Sequence, residues 1–383
     1  MKKTLLATSA LAGVAFLTAG AASAGPVGTS DTMTVTMNGY QIFQIHTLDS
    51  DNSDGRGRGY GFTQPEGEFG FTASAKTEGG ITYGFRTEIG TENISADELY
   101  GFIKGEFGAV EFGNQDGAAN QMQIGAFNAN GTSQGLLGGT NSLEAFDGQA
   151  GAGDFHLIRD DMEAVIYGDG AKIVYLSPRF SGFQIGASWT PQSNAEGDHD
   201  FADNAINQAP AQGRGYENVG DIAINYKGDF QDVSIAASAA YIFSDDQETS
   251  AGVAMEDIGV TKVGASVSFS GLTVAASYRH NGDFDTALNA NGDGGTWMGI
   301  GAMYKMGAWT FNASAARGKQ DFGEGALEQQ NNRFGIGVGY KVAPGWDLMG
   351  DYINLSRENN NGNATPATGD DASAFLITNK FSF

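Results

Sequence analysis

A period of two runs through almost every apolar segment of this chain. In the segment 233–243, Val, Ile, Ala, Tyr and Phe at the odd positions alternate with Ser and Ala at the even positions up to 240, and in 334–342 Phe, Ile, Val and Tyr alternate with Gly and Lys. Successive side chains of a β-strand point to opposite faces, so this pattern predicts strands with one apolar face and one small or polar face.

The same pattern recurs often enough to define the fold class. We predict sixteen strands, at about 31–46, 67–77, 80–90, 96–104, 109–114, 171–178, 182–190, 219–228, 232–243, 258–269, 271–280, 296–305, 308–317, 333–342, 346–355 and 373–383. The connections are alternately short, as at 306–307 and 343–345, and long, as at 115–170 and 191–218. Short turns at one end and long loops at the other are typical of an up-and-down antiparallel meander.

The direction of the apolar face follows from the residues on the other face. A water-soluble sandwich needs bulky side chains to fill its core, whereas here the second face carries Gly, Ser, Thr, Lys and Arg. We therefore predict an all-β, 16-stranded transmembrane barrel, with apolar side chains toward lipid and polar ones toward a lumen. Sixteen strands are enough to leave an aqueous channel. Aromatic residues near strand ends would form the two interfacial girdles.

Composition excludes several other classes. The chain has no Cys, so disulfide scaffolds and thiolate chemistry are excluded. It has 45 acidic and 21 basic residues, with a formal net charge of -24, which argues against nucleic-acid binding. Beyond the N-terminus, it contains no uninterrupted apolar stretch of the roughly 18 to 20 residues that a membrane helix requires.

The N-terminus is predicted to be a signal peptide. Lys2 and Lys3 precede an apolar run, which is followed by Ala22, Ser23 and Ala24. Charged, apolar and A-x-A parts in this order are typical of secretion. We expect residues 1–24 to be removed, leaving a barrel domain at 25–383.

Two internal strings and the chain end resemble the general diffusion porins of Gram-negative outer membranes, especially those of alphaproteobacterial type. The string 173–183, IVYLSPRFSGF, is similar to the family's strand-turn-strand signature, and 106–116, EFGAVEFGNQD, is similar to the segment leading into the third loop. The chain ends in Phe383, with Phe381 on the same face, as the family's assembly signal does. The resemblance implies a passive channel for small hydrophilic solutes and ions in the outer membrane.

The resemblance also suggests which residues line the pore. The family folds its third loop into the lumen, which here is the loop 115–170. We expect acids of this loop to face basic residues of the early strands, whose lumen side by parity includes Lys76 and Arg86. Because Asp160, Asp161 and Glu163 approach the sixth strand, they are less favoured. The predicted acids are Glu144, Asp147 and Asp154, and the less certain pore-lining residues are Lys104, Lys172 and Arg279.

The net charge and the acidic loops predict a weak preference for cations. The resemblance further implies a homotrimer, with Glu92 and Asn93 in a second loop that latches onto a neighbouring subunit. Acidic loop residues could bind calcium or, through divalent ions, lipopolysaccharide, although solvated loop charge is the favoured explanation. The acidic residues considered are Asp49, Asp51, Asp54, Asp198 and Asp200.

Three alternatives remain open at this stage. A membrane-barrel enzyme is disfavoured, because the four histidines have no recognisable spacing with Ser or Asp, and we expect no catalytic residues. A secreted β-rich structural or adhesive protein would share the acidity and the alternation, but not the short and long rhythm with a terminal Phe. A substrate-selective outer-membrane channel is the nearest alternative to a general one.

Overall fold

The computed structural model describes residues 25–29, 32–50, 59–91, 94–132, 159–160, 162, 170–193, 216–245, 255–284, 286, 288, 292–321, 327–361 and 370–383. Its strands form one antiparallel sheet. They are β1 Gly25–Thr29, β2 Thr34–Ser50, β3 Tyr60–Thr63, β4 Gly67–Lys76, β5 Thr82–Gly90, β6 Ser95–Gly105, β7 Gly108–Asn114, β8 Ala171–Leu176, β9 Phe183–Gln192, β10 Glu217–Phe230, β11 Val233–Asp245, β12 Gly259–Phe269, β13 Leu272–His280, β14 Thr296–Met306, β15 Trp309–Asp321, β16 Leu327–Ala343, β17 Trp346–Asn361 and β18 Asp370–Ser382. A short helix, α1 Ala118–Gln121, and a 3-10 turn at Ala126–Ala129 follow β7.

The sheet closes on itself. Along the chain each strand pairs with the next, except that β3 and β4 both pair with β2, and β18 pairs with β2 from Tyr40 to Ser50. Beyond this contact, Gly39 and Phe383 exchange backbone hydrogen bonds of 3.2 and 3.0 Å. Closure pairs both edges of every barrel strand, which a backbone at membrane depth requires. The predicted 16-strand, up-and-down barrel is confirmed.

Two short strands were not predicted, and both complete the pairing of the long strand β2. The edge of β2 that pairs with β18 is not covered by β18 from Thr34 to Met37, and β1 pairs with β2 there. On the other side β4 covers Thr34 to Gln41, and β3 pairs with Gln44 to Thr47. Thus β3 and β4 act as one interrupted barrel strand, and the count of sixteen holds.

The observed strand limits differ most from the predicted ones where the sequence does not alternate between apolar and polar residues. The predicted strand 333–342 begins at Leu327, because 328–332 is a polar run that still pairs with β15 and β17. The predicted strand 346–355 likewise extends to Asn361. Polar residues on both faces suit the part of a barrel that rises above the membrane.

The apolar face is the outer one. On β16, Phe334 and Ile336 are each 46% exposed, whereas the adjacent Arg333, on the opposite face, is 5% exposed. Exposed apolar side chains recur along the barrel strands, among them Trp189, Ile222, Phe243, Met298, Trp309 and Phe375. A surface of this kind is stable against acyl chains, not against water. Within the described residues, no helix is long and apolar enough to cross a membrane.

Candidate functional site: the inner wall and the loop against it

The loop after β7 lies along the polar face of the barrel over its described first limb, residues 115–132. Its backbone N–H groups donate to inward side chains of successive strands: Ala119 to Asp221 of β10 (2.8 Å), Ile124 to Ser238 of β11 (2.7 Å) and Ala126 to Ser277 of β13 (2.9 Å). At its end, the Thr132 hydroxyl lies within hydrogen-bond distance of Asn312 Oδ1 of β15, at 2.8 Å, and of Asp351 Oδ1 of β17. The limb therefore meets the wall strand by strand, in sequence order.

Distances explain this path. From β9, where Ala118 N–H meets Ser188 Oγ at 3.3 Å, to β17 there are eight steps between strands. At about 4.8 Å per step this is roughly 38 Å. A fully extended chain covers at most ~3.5 Å per residue, so residues 118–132 are long enough to follow the wall and only moderately slack. The limb covers about half of the barrel wall, β9 to β17.

Glycines on the wall and in the limb allow the two to lie in close contact. A Cβ on Gly264 of β12 would lie 1.9 Å from the Ile124 carbonyl oxygen, and a Cβ on Gly125 would lie 2.5 Å from an Asp160 carboxylate oxygen. These glycines leave the space that backbone and carboxylate occupy. Substitution there would push the limb away from the wall.

A buried ion pair joins the loop's second limb to the first limb and to the wall. Lys262 Nζ of β12 lies 3.0 Å from Asp160 Oδ1, and the two side chains are 1% and 0% exposed. Asp160 also accepts from Ser277 Oγ at 2.6 Å and from Phe127 N–H at 3.1 Å, and Lys262 donates to Gln123 Oε1 at 2.7 Å. Removing one partner of such a pair leaves a buried charge that nothing compensates, so this contact locks the loop position.

The other half of the wall carries charges that stay partly open to the lumen. Arg86 of β5 forms an ion pair with Glu88, lies 3.9 Å from Glu68 of β4, and donates to Asn38 and Thr72 at 3.3 Å. The Arg86 side chain is 22% exposed. Gly70 makes room for it, since a Cβ there would lie 2.7 Å from a guanidinium nitrogen.

Near Arg86, one oxygen each of Glu68, Glu88 and Asp97 lie within 4.8 Å of one another. Among the described residues these three could hold a cation together, although Arg86 already neutralises part of their charge. The acids outnumber the arginine, so this part of the wall is negative.

The remaining predicted basic residues occupy different environments. Lys104 of β6 forms an ion pair of 2.8 Å with Glu111 of β7, which also accepts from Gln121 Nε2 of the limb at 3.2 Å. Lys172 of β8 is buried and donates to the Gln115 carbonyl, and Arg279 of β13 is buried with its Nε 2.8 Å from Asn281 Oδ1. Lys76 is exposed at the short-turn end of β4. A role for these residues in the constriction stays a prediction.

Several predicted residues fall outside the described part of the chain. These are the loop acids Glu144, Asp147 and Asp154, the latch residues Glu92 and Asn93, and Asp51, Asp54, Asp198 and Asp200 of the proposed calcium sites. Asp49 is exposed on β2. Phe381 stacks on Trp346 with 5.8 Å between ring centroids, and Phe383 lies 6.0 Å from Phe69, so the chain end seals the β18–β2 seam.

Sequence reasoning missed several basic residues of the inner face, among them Lys262, Arg333 and Lys380, which are 1%, 5% and 8% exposed. Parity alone could have found them, because each alternates with outward apolar residues on its strand. Most of the predicted bases lie on the early strands, where the resemblance implies them. Asp160 is less favoured by the sequence because it lies close to β8 along the chain, yet it contacts Lys262 of β12 and Ser277 of β13.

Taken together, a polar wall inside and apolar side chains outside surround a passage that hydrated solutes can follow through a bilayer. The sequence profile of Gram-negative porins matches residues 7–376. No match was found among curated protein sequences.

Solved structures show the same fold. The chain is similar to an anion-selective porin from Comamonas acidovorans, with a TM-score of 0.61 and 16% identity over 92% of this chain and 100% of that one. It is similar to OmpT in its trimer form, an outer membrane protein of Vibrio cholerae, with a TM-score of 0.61 and 14% identity over 92% and 100%. A triple mutant of the Rhodopseudomonas blastica porin has a TM-score of 0.50 and 18% identity over 91% and 100%. The chain therefore belongs to the family of Gram-negative porins and is a β-barrel diffusion channel of the outer membrane.

Proposed function

We propose that this channel is a general one: it passes small hydrophilic solutes and ions without chemistry and weakly prefers cations. The observation that carries this proposal is the division of the inner wall. The half from β9 to β17 is lined by a limb of the protein's own backbone, and the passage runs beside the charged half, where Arg86 and its carboxylates lie.

The charge of that half supports cation preference. Arg86 faces Glu68, Glu88 and Asp97, and Lys104 is matched by Glu111. The whole chain carries -24. Fixed negative charge along a low-dielectric passage raises the local concentration of cations. Because Lys172, Arg279, Arg333 and Lys380 also lie on the inner face, we expect the preference to be modest.

Reconstitution into a planar bilayer tests the proposal. In a gradient of potassium chloride, we expect ohmic single-channel currents and a reversal potential whose sign shows that potassium is more permeant than chloride. A reversal potential that indicates chloride preference would overturn the cation preference. No current at all from properly folded protein would overturn the proposal of an open channel.

The constriction is proposed to lie where the loop 115–170 faces the early strands, with Arg86 and Lys76 opposite Glu144, Asp147 and Asp154. Lys104, Lys172 and Arg279 are further lining residues. Support comes from the limb on the inner wall and from the lumen-facing position of Arg86. Cysteine substitution at each site, in a chain without native Cys, followed by current block with a charged thiol reagent, would identify the residues that face the passage.

We further propose a homotrimer, with Glu92 and Asn93 in contact with a neighbouring subunit. OmpT of Vibrio cholerae, a structural neighbour, has been solved in a trimer form, which supports the proposal. Gel electrophoresis before and after boiling should show a band at three chain masses that collapses to one. Substitution of Glu92 and Asn93 by Ala should lower the collapse temperature, whereas a monomer at all temperatures would contradict the proposal.

A further inference from the structure

Two basic residues lie on the outer face of the barrel, Arg317 and Lys319 of β15. Along β15 the exposed positions that face outward are the odd-numbered ones, and both residues belong to this series. The other basic residues of the described strands, such as Lys262 on β12 and Arg333 on β16, share the inner face. A charged side chain on the lipid face is costly at the middle of the bilayer and tolerated near its interfaces. The height of this pair on the barrel therefore indicates what it contacts.

The pair lies where the apolar band of the barrel ends in the outer leaflet. Trp309 begins β15 beside a short turn, and the strand rises roughly 26 Å from there to Arg317 at ~3.3 Å per residue. At a strand tilt of about 40° this is about 20 Å across the membrane, close to the ~25 Å height of an apolar band. Lys319 lies slightly higher. The long loops are at this end, which is the extracellular one in barrels of this kind.

Below Arg317 the outer surface of β15 is low. Ala315 is in register with Ile300 of β14 and Phe334 of β16, both of which are exposed, and Ala313 follows on the same face of β15. Two methyl side chains between columns of larger apolar ones leave a shallow groove that runs down the strand from Arg317. An acyl chain can fill such a groove through dispersion contacts.

The pair keeps hydrogen-bond donors that a ligand can use. Arg317 donates from Nε to Asn332 Oδ1 at 2.8 Å, which orients the guanidinium. Its two terminal nitrogens have no partner among the described residues. Lys319 Nζ lies 3.0 Å from Glu328 Oε1, but these side chains are 48% and 38% exposed, and an exposed ion pair contributes little to stability. The Lys319 ammonium can therefore turn toward a nearby anion at little cost.

We propose that Arg317 and Lys319 bind a phosphate group of lipopolysaccharide, and that one of its acyl chains lies in the groove below them. A phosphate offers several acceptor oxygens and negative charge, and a guanidinium binds it through two parallel hydrogen bonds. An apolar groove with two bases at its upper end matches a lipid with an anionic headgroup better than a free anion in water. The site is separate from the passage and depends only on the position of the barrel in the outer membrane.

The proposed subunit contact leaves this face open to lipid. Glu92 and Asn93 lie between β5 and β6 in the sequence, and β15 is on roughly the opposite side of the closed barrel from these two strands. The lipid and a neighbouring subunit therefore do not compete for the same surface.

Native mass spectrometry of the purified protein in detergent measures lipid binding directly. The probes are lipid A with both phosphates, the same lipid with its phosphates removed, and inorganic phosphate. We expect saturable binding of lipid A and about tenfold weaker binding of the dephosphorylated lipid, because charge-assisted hydrogen bonds are then lost. Inorganic phosphate at the same concentration should not displace lipid A, since it cannot occupy the groove.

The double variant Arg317→Gln with Lys319→Gln should lower the affinity for lipid A about tenfold, to that of the dephosphorylated lipid. Both side chains are exposed, so the barrel should still fold, which electrophoresis before and after boiling checks. The matched control is Lys227→Gln with Lys341→Gln, which removes the same charge from the inner face near the short turns. This control should bind lipid A as the unsubstituted protein does.

A second variant, Ala315→Phe, keeps the test valid should the double variant fold poorly. It fills the groove from the lipid side without changing a charge, and it should weaken lipid A binding several-fold. Unchanged affinity in the folded variants, or an equal loss in the control, would overturn the site. Equal affinity for lipid A and its dephosphorylated form, or displacement by inorganic phosphate, would also overturn it. Absence of potassium chloride conduction with lipid binding intact would instead contradict the channel function.

Discussion

Two ion pairs on the inner wall of this barrel differ in their exposure to solvent and in the parts of the chain that they join. Lys262 and Asp160 are 1% and 0% exposed and join the loop to the wall, whereas Arg86 and Glu68 are 22% and 19% exposed and face the lumen within a group of carboxylates. Removing one partner of a buried pair lowers the stability of the fold strongly, whereas a hydrated pair contributes little to stability and mainly shapes the local electrostatic potential. The first contact should therefore determine the shape of the passage and the second its ion preference.

The largest effect is expected from Lys262→Met. Asp160 would keep its charge in a site without its cation, so the free energy of unfolding should fall by about 3–5 kcal/mol. Denaturant titration in detergent measures this change. The double variant Lys262→Met with Asp160→Asn should recover most of the loss, because no buried charge is then left without a counter-ion and the amide oxygen can still accept from Ser277 or Phe127. Equal stability of the single and double variants would show that the pair does not lock the loop.

Gly264→Ala tests the same half of the wall through space instead of charge. A Cβ there would lie 1.9 Å from the Ile124 carbonyl oxygen, so the limb must move and stability should fall by about 1–3 kcal/mol. Single-channel conductance should change with it. Gly339→Ala on β16 is the matched control, since its new Cβ would meet Thr132 Cγ2 at an ordinary 3.5 Å. Identical conductance for both variants and the unsubstituted protein would argue that the limb does not limit the passage.

In the open half, Arg86→Gln should change selectivity more than stability. Glu68, Glu88 and Asp97 would lose their nearest positive charge, so the permeability ratio of potassium to chloride should rise about twofold. Glu111→Gln, which leaves Lys104 without its carboxylate, should shift the ratio the other way. Reversal potentials in a salt gradient measure both. Shifts of the same sign would refute the assignment of these charges to the passage.

The smallest effect is expected from Glu328→Gln. Its ion pair with Lys319 is 3.0 Å long, but the two side chains are 38% and 48% exposed. Exposed pairs contribute about 0–1 kcal/mol, so stability should change by less than about 0.5 kcal/mol and conductance should not change. A larger loss would place this pair with the buried one and would remove the distinction on which the comparison depends.

The placement of the five predicted basic residues shows what parity can reach. Arg86 was assigned to the lumen face because it alternates with apolar neighbours on the predicted strand, and the structure places it there. The same rule also assigns Lys262, Arg333 and Lys380 of the later strands to the inner face. No sequence rule would have paired Lys262 with Asp160, which are 102 residues apart along the chain.

The sequence by itself determined the sixteen strands, their two faces and the outward direction of the apolar one. Each of these depends on residues two positions apart, whose side chains must alternate along any extended backbone. The tertiary structure alone decided the path of the loop limb and the Lys262–Asp160 lock. Those features depend on which side chains meet after the barrel closes, and closure brings together residues that no local pattern connects.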